Sequence, residues 1–181
     1  DLILGKQCQT KMGRCGIRPL EFKTFSKEMQ NAITNYCQAG GNFFVSGAYV
    51  ASDLWDNRLV KANEEDKKFA MEVLKYKWRV GQAARNGKVK SVASPFPEIT
   101  GSYTYYQDLN PESYVVESPD ALEPAAQGAF TILRYSENNL SAGIAYKGNY
   151  KTGVLGFPFE AIRTVTEREL LMKAILTFFE H

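Results

Sequence analysis

Three side chains have the types and positions that a catalytic site needs: Ser46, Asp53 and Glu160. Ser46 and Gly47 follow the short apolar run at 43–45, where a buried strand turns sharply into a helix. A hydrolase nucleophile takes this position on a strand–turn–helix corner. Asp53 comes one or two helical turns later and Glu160 follows the last predicted strand, so we expect both to point into the same crevice as Ser46 at the carboxyl edge of the sheet. A serine hydroxyl assisted by carboxylates predicts hydrolysis or acyl transfer, which we carry as one hypothesis.

The chain lacks the base that would activate such a serine. Its single histidine is His181, the last residue, after a helix that the pattern already completes. Ser–His and Cys–His pairs, a histidine metal site and a histidine general base are therefore not expected. The corner also departs from G-x-S-x-G, because Phe44 and Val45 precede the serine. The alternative is that these residues have only structural roles. Ser46 and Gly47 would then form a tight corner, and the two carboxylates would cap helices or form ion pairs.

A group of tyrosines forms a second candidate site. Tyr103, Tyr105, Tyr106 and Tyr114 lie in a proline-rich stretch of the sequence. Aromatic rings exposed in a row provide a surface on which sugar rings stack, so the first three tyrosines, with Gly47, are candidate ligand contacts. The alternation at 103 and 105 is equally the pattern of one face of an ordinary strand, and both interpretations stay open.

Composition argues against several other classes. The formal net charge of +2 predicts no nucleic-acid partner, and no apolar run approaches the roughly 20 residues of a membrane-spanning helix. Segment 6–16 does not match a phosphate-binding loop, and Cys8, Cys15 and Cys37 do not supply four zinc ligands. We predict no metal and no cofactor; a flavin or nucleotide is an alternative suggested by the fold alone. The sequence leaves the disulfide state of Cys8 and Cys15 open.

The elements that must position these residues follow from the hydrophobic pattern. Ser26 is a good N-cap for the first helix, which Gly40 and Gly41 end. Thr166 and Glu169 predict a capping box for the last helix. In chain order we predict a helix over 26–37, a strand over 42–46, helices over 48–55 and 64–84, a strand over 88–93, strands over 129–135 and 141–147 joined by a turn at 136–139, a strand over 152–157, and a closing helix from 166 with Leu170, Ala174, Ile175 and Phe178 facing the core.

Length and organisation predict one domain over residues 1–181. Segment 94–127 holds five prolines among short β-type runs, so we interpret it as an insertion of loops and hairpins at a sheet edge. The opening residues 1–5 have the pattern of a strand interior, which predicts a piece of a longer protein. Strands alternating with helices predict an α/β fold, a three-layer αβα sandwich whose sheet is mostly parallel with an antiparallel hairpin portion.

Several motifs resemble a known family. GGNFFVSGAYVASDL and the later run GVLGFPFEAI…ERELLMKAILTFF resemble the class I glutamine amidotransferase-like, flavodoxin-like fold. Together, DLILGKQ, FKTFSKEMQNAI, the corner and GFPFE resemble a domain of large secreted bacterial proteins that are labelled xanthan lyase. In class I amidotransferases the corner carries a cysteine, and a His-Pro-Glu run completes the triad. Here the corner has Ser46, and the later run 157–160 keeps Glu160 but has no histidine.

The resemblance therefore implies the fold without amidotransferase activity. It also implies a secreted, periplasmic or cell-surface location and a carbohydrate-processing parent protein. The expected role is that of a non-catalytic scaffold or glycan-contact domain, whose partners are a polysaccharide or other domains of the same protein. Lyases of that label are similar to helical toroids joined to β-sandwiches, and no such pattern occurs here. The serine hydrolase or acyltransferase built on Ser46 is the alternative.

Overall fold

The computed structural model describes residues 24–56, 62–108 and 111–181. The strand predicted at 1–5, the segment 6–16, Cys8 and Cys15 lie outside the described residues. The helices are α1 (Lys27–Gln38), α2 (Ser52–Trp55), α3 (Glu64–Phe69) with a π-helical turn (Ala70–Leu74), a 3₁₀ turn (Phe159–Ala161) and α4 (Val165–Glu180). The strands are β1 (Phe43–Ser46), β2 (Tyr76–Val80), β3 (Lys88–Ser91), β4 (Ser102–Thr104), β5 (Ala121–Pro124), β6 (Ala129–Tyr135), β7 (Ser141–Lys147) and β8 (Lys151–Leu155).

The main sheet has six strands in the order β1-β8-β7-β6-β3-β4. β1 pairs with β8 in parallel, with Phe43 opposite Thr152 and Ser46 opposite Leu155. The remaining pairs of this sheet are antiparallel. β2 and β5 form a separate two-stranded antiparallel sheet.

The prediction of a flavodoxin-like or class I glutamine amidotransferase-like three-layer sandwich with a mostly parallel sheet is wrong. The sheet is curled and mixed, and β1–β8 is the one parallel pair that the described strands form. Few helices cover it, and one face carries the β2–β5 sheet beside α1 and α3. The physical reason lies in the connections: β7 ends at Lys147 and β8 begins at Lys151, which is too short a link for parallel strands.

The helix predicted over 64–84 is correct for its first half and wrong for its second. The helical part ends after Leu74, where Lys75 takes a left-handed conformation with φ of 68°. The chain then continues as β2, in which Tyr76 is buried and Lys77 is exposed. A period of two fits these residues as well as the helical period does, and pairing with β5 decides between them.

Two apolar cores lie on opposite faces of the main sheet, because successive strand residues alternate in direction. On the α1 face, Val45 and Val154 pack in one core with α1, α3, β2 and β5. On the α4 face, Leu155 of β8 packs in the other core with the buried side of α4. The residues that α1 and α4 contribute are Ile33, Cys37, Leu171, Ala174, Ile175 and Phe178.

Several predicted boundaries are confirmed and others shift. Ser26 caps α1 and accepts a hydrogen bond from the Met29 amide, and turn 136–139 joins antiparallel β6 and β7. The capping box of α4 is formed by Thr164 and Glu167, two residues earlier than predicted. The predicted core residues Ala174, Ile175 and Phe178 are buried, whereas Leu170 is 58% exposed and its neighbour Leu171 is buried in its place. The helix predicted over 48–55 begins only at Ser52.

Candidate functional site

Ser46 stands at the carboxyl end of β1, beside the end of β8. The amide of Gly47 donates to the Leu155 carbonyl at 3.2 Å, which extends the parallel pairing by one residue. The Ser46 hydroxyl oxygen accepts a hydrogen bond from the Phe159 amide at 3.1 Å. A Cβ atom built on Gly47 would meet no atom within 4 Å, so the corner opens onto free space. The structure therefore brings Ser46 next to the turn that carries Glu160 and uses its hydroxyl to hold that turn.

Tyr49 is the strained residue of the corner, and no sequence pattern predicts it. Its φ of 66° lies in the left-handed region, which a bulky aromatic residue rarely adopts and which costs about 1–3 kcal/mol. In a hydrolase the strained position belongs to the nucleophile, whereas here Ser46 lies three residues before it. Burial raises the pKa of the Tyr49 phenol, and the Glu117 carboxylate raises it further. A raised pKa keeps this phenol protonated, which is the opposite of an activated nucleophile.

The residues after Tyr49 are held by a buried carboxylate, which we call the Asp120 anchor. Asp120 is 0% exposed, and its Oδ2 accepts hydrogen bonds from the Ala51 amide at 2.8 Å and the Ser52 amide at 2.9 Å. The Ser52 hydroxyl donates to the same oxygen at 3.2 Å. The indole Nε1 of Trp78 donates to Oδ1 at 3.1 Å. One side chain thus joins the start of α2 to β2.

The backbone of Asp120 extends the anchor to the main sheet. Its amide donates to the Gly156 carbonyl at 2.7 Å, and its carbonyl accepts from the Tyr135 hydroxyl at 2.8 Å. A second buried tyrosine, Tyr76, donates to the Val50 carbonyl at 2.6 Å. These contacts together fix the strained turn and explain how its conformation is maintained.

Burial raises the pKa of the Asp120 carboxyl to about 7, and the hydrogen bonds from Ser52, Ala51 and Trp78 act in the opposite direction. The titratable groups that face it are the phenols of Tyr49, Tyr76 and Tyr135, whose pKa values are raised by burial first and by this carboxylate in addition. The folded state therefore retains a proton on Asp120 at a pH where the unfolded chain has released it.

We expect Asp120→Asn to cost more stability at pH 5 than at pH 8. A raised carboxyl pKa stabilises the fold fully below the unfolded value near 3.8, and this contribution is lost as pH rises toward about 7. The asparagine does not titrate, so the difference between the two proteins follows this one group. Urea unfolding of both proteins at the two pH values measures it. An equal difference at both pH values would contradict the raised pKa.

Asp53 contacts the core on the α1 face and does not lie beside Ser46. Its side chain is 1% exposed, and its Oδ2 accepts a hydrogen bond from the Phe25 amide at 3.3 Å. Phe25 belongs to the core on the α1 face, whereas Phe159, the partner of Ser46, packs against the core on the α4 face. The expectation that Asp53 and Glu160 point into one crevice is therefore wrong for Asp53.

Glu160 lies on the α4 side of the corner, in a surface cleft of about 430 Å³. Glu160 is exposed, and its Oε1 accepts a hydrogen bond from the Tyr114 hydroxyl at 2.5 Å. We call this cavity the Tyr106 cleft; it is lined by Tyr106, Glu112, Ser113, Phe159, Glu160, Arg163 and Arg168. Because the Phe159 amide binds Ser46, the cleft adjoins the strand–helix corner.

The cleft side chains are ordered by contacts with one another. The Tyr106 hydroxyl donates to Glu112 Oε2, which raises the pKa of the phenol. The Arg163 guanidinium lies over the Tyr106 ring, 5.1 Å from its centre, and its Nη2 contacts Asp108 Oδ2 at 2.9 Å. Arg168 Nη1 donates to the backbone of the segment that leads into α4. Fixed rings, carboxylate acceptors and guanidinium donors suit a polar organic ligand with many hydroxyl groups.

Two of the predicted tyrosine contacts belong to the core. Tyr103 is 3% exposed and Tyr105 is 0% exposed, so neither presents a ring to a ligand. Tyr105 stacks on Phe157 with ring centres 4.9 Å apart. The expected row of stacking tyrosines is therefore wrong for these two, and the alternative of an ordinary strand face describes them. Tyr106 and Tyr114, which follow them in the sequence, do reach the cleft region.

His181 lies at the opposite end of β1 from Ser46. The Asn42 side chain, just before β1, donates to the Phe179 carbonyl at 3.0 Å, which places the end of α4 at the amino end of β1. Within 24–56, 62–108 and 111–181, no group of three or more histidine, cysteine, aspartate or glutamate side chains is arranged to hold a metal ion. The helices of the same ranges include none whose length and apolar character would allow it to cross a membrane.

Comparison with known proteins shows similarity at the level of fold. No protein-family model matches the chain, and no curated protein matches it. The chain is similar to a β-galactosidase from Rahnella sp. R3, with a TM-score of 0.57 and 13% identity over 85% of this chain. It is also similar to the exo-β-1,4-mannosidase Op5Man5 from Opitutaceae bacterium strain TAV5, with a TM-score of 0.47 and 9% identity over 83% of this chain.

This chain spans about a fifth of each of those proteins, 21% and 22% of their lengths. Neither similarity tests the resemblance to glutamine amidotransferases or to proteins labelled xanthan lyase, which stays a prediction. The curled, mixed six-stranded sheet is thus a fold that also occurs within the chain of a β-galactosidase.

Proposed function

We propose that this chain is a non-catalytic domain of a secreted or cell-surface carbohydrate-processing protein, and that the Tyr106 cleft contacts a glycan. The observation that carries the proposal is the composition of the cleft. Its rings, two carboxylates and two guanidinium groups match the apolar faces and the hydroxyl groups of a sugar. The fold similarity to part of a β-galactosidase is consistent with a carbohydrate-related parent protein.

The arrangement around Ser46 supports a non-catalytic role. The hydroxyl oxygen already accepts the Phe159 amide, and the single histidine is at the far end of β1. Without a nearby base a serine hydroxyl stays a weak nucleophile. The hydrogen bond from Phe159 gives Ser46 a structural task, which is to fix one wall of the cleft.

Glycan titration tests the proposal. We expect an array of plant and bacterial oligosaccharides to identify a ligand, and Tyr106→Ala to weaken its binding about tenfold, as for an aromatic contact of roughly 1.4 kcal/mol. Calorimetry measures the affinity. Tyr36→Ala removes an exposed tyrosine of α1 and should leave the affinity unchanged. If no oligosaccharide on the array binds, the glycan-contact role is wrong.

The serine hydrolase hypothesis remains the second candidate because Ser46 and Glu160 do adjoin the same corner. We expect a fluorophosphonate probe not to label the folded protein, since the single histidine lies at the other end of β1 and the hydroxyl oxygen already accepts the Phe159 amide. Mass spectrometry of the intact protein after incubation with the probe measures labelling. A single adduct that maps to Ser46 and disappears in Ser46→Ala would contradict this expectation and favour the enzyme.

A further inference from the structure

We propose that the Tyr106 cleft selects neutral glycans and rejects glycans that carry uronic acids. This inference rests on the proposed function, because it assigns the chemical class of the ligand at the same site. It follows from the balance of charge in and around the cleft, together with the way in which those charges are already paired.

Carboxylates outnumber guanidinium groups when the described residue that adjoins the cleft through Arg163 is counted with those that line it. Glu112 and Glu160 line the cleft, and Asp108 adjoins it through Arg163. Against these three negative charges stand Arg163 and Arg168. Counted over these five described side chains, the remainder is one negative charge.

The two arginines are also engaged by the protein. Arg163 contacts the Asp108 carboxylate at 2.9 Å and lies over the Tyr106 ring. Arg168 Nη1 donates to the Ile162 carbonyl. A ligand carboxylate would have to compete with the Asp108 carboxylate for Arg163. Glu160, which lines the same cleft and accepts a hydrogen bond from Tyr114, would repel a ligand carboxylate.

Sugar hydroxyl groups meet no such obstacle. A hydroxyl group both donates and accepts, so one sugar can donate to Glu160 and accept from Arg168. A uronate carboxylate only accepts, and it brings a charge that Glu112 and Glu160 oppose. The cleft is thus complementary to the donors of a neutral glycan and not to a second anion.

A matched pair of ligands tests the inference. Oligogalacturonate and its carboxyl-reduced derivative have the same length and linkage and differ only in the charged group; the neutral ligand found on the array and its uronic-acid analogue form a second pair. We expect the neutral member of each pair to bind at least tenfold more tightly in calorimetry at low salt. The preference should decrease as salt is added, because it is electrostatic.

A charge variant identifies the residue responsible. Glu160→Gln should raise the affinity for the acidic member about three- to fivefold, which is the effect of one unit charge roughly 5 Å away in a solvated site. The matched control is Glu180→Gln, which makes the same change in net charge at the far end of α4 and should leave both affinities unchanged.

The outcomes separate the two proposals. Equal or tighter binding of the acidic member overturns the neutral-glycan inference and leaves the glycan-contact role in place. Failure of every oligosaccharide, neutral or acidic, to bind overturns both. Selective binding of the neutral member that Glu160→Gln relaxes and Glu180→Gln does not is the result that we expect.

Discussion

Replacing Asp120 with alanine should lower the free energy of unfolding by about 3–5 kcal/mol, because buried donors lose their acceptor at a cost of roughly 1–3 kcal/mol each. These donors are the amides of Ala51 and Ser52, the Ser52 hydroxyl and the Trp78 indole. Part of this loss is offset, because the alanine variant no longer carries the desolvation cost of a buried carboxyl group. Urea unfolding followed by tryptophan fluorescence and circular dichroism measures the change.

Asp108→Ala is the matched control for this variant. Asp108 also binds a partner side chain, Arg163, but its carboxylate is exposed, so its removal should cost under about 1 kcal/mol. If Asp120→Ala cost no more than Asp108→Ala, the Asp120 anchor would not be what holds the strained turn at Tyr49.

Replacing Gly156 with alanine should destabilise the fold by at least about 3 kcal/mol or prevent folding. A Cβ atom at this position would lie 1.9 Å from the Asp120 carbonyl oxygen and 2.9 Å from its carbon. Overpacking costs about 1–3 kcal/mol where a side chain can move aside. Here the obstacle is backbone that is itself held by the Tyr135 hydroxyl, so movement breaks further hydrogen bonds. Thermal and urea unfolding measure the change.

Gly47→Ala provides the opposite result at a neighbouring position. No atom lies within 4 Å of its added Cβ, so this variant should be neutral or gain up to about 1 kcal/mol from the stiffer unfolded chain. A Gly156→Ala protein as stable as Gly47→Ala would show that the start of β5 and the end of β8 do not approach as closely as described.

The elements with strong local signals could be predicted from the sequence. Ser26 and Gly40 bound the first helix as expected, and turn 136–139 gave the hairpin. The direction of the remaining pairs depends on contacts between distant segments, which a local pattern does not contain. Tyr76 and Val80 fit a helical stripe, and only their pairing with β5 makes them a strand. The predominance of antiparallel pairs in the main sheet was missed for the same reason.

The candidate site divides in the same way. Ser46 and Glu160 were expected at one edge because each follows a strand, and the parallel β1–β8 pair does bring their segments together. The role of Asp120 could not be predicted, because no motif surrounds it in the sequence. Its contacts come from α2, β2, β6 and the residue after β8, which meet only in the folded chain. Tyr49 was missed because tyrosine is not a residue that signals a left-handed backbone.

The position of β1 in the sheet determines how early this strand can find its partner during synthesis. Among the described strands its neighbour is β8, so Phe43 must wait for Thr152 before it finds its partner. A chain that leaves the ribosome amino end first leaves this apolar segment without its β8 partner until residues 151–155 have been synthesised. Strands β6 to β8 are consecutive in sequence and in the sheet, so we expect them to pair first and the parallel β1–β8 pair to form later, with the unpaired β1 open to misassociation in the meantime.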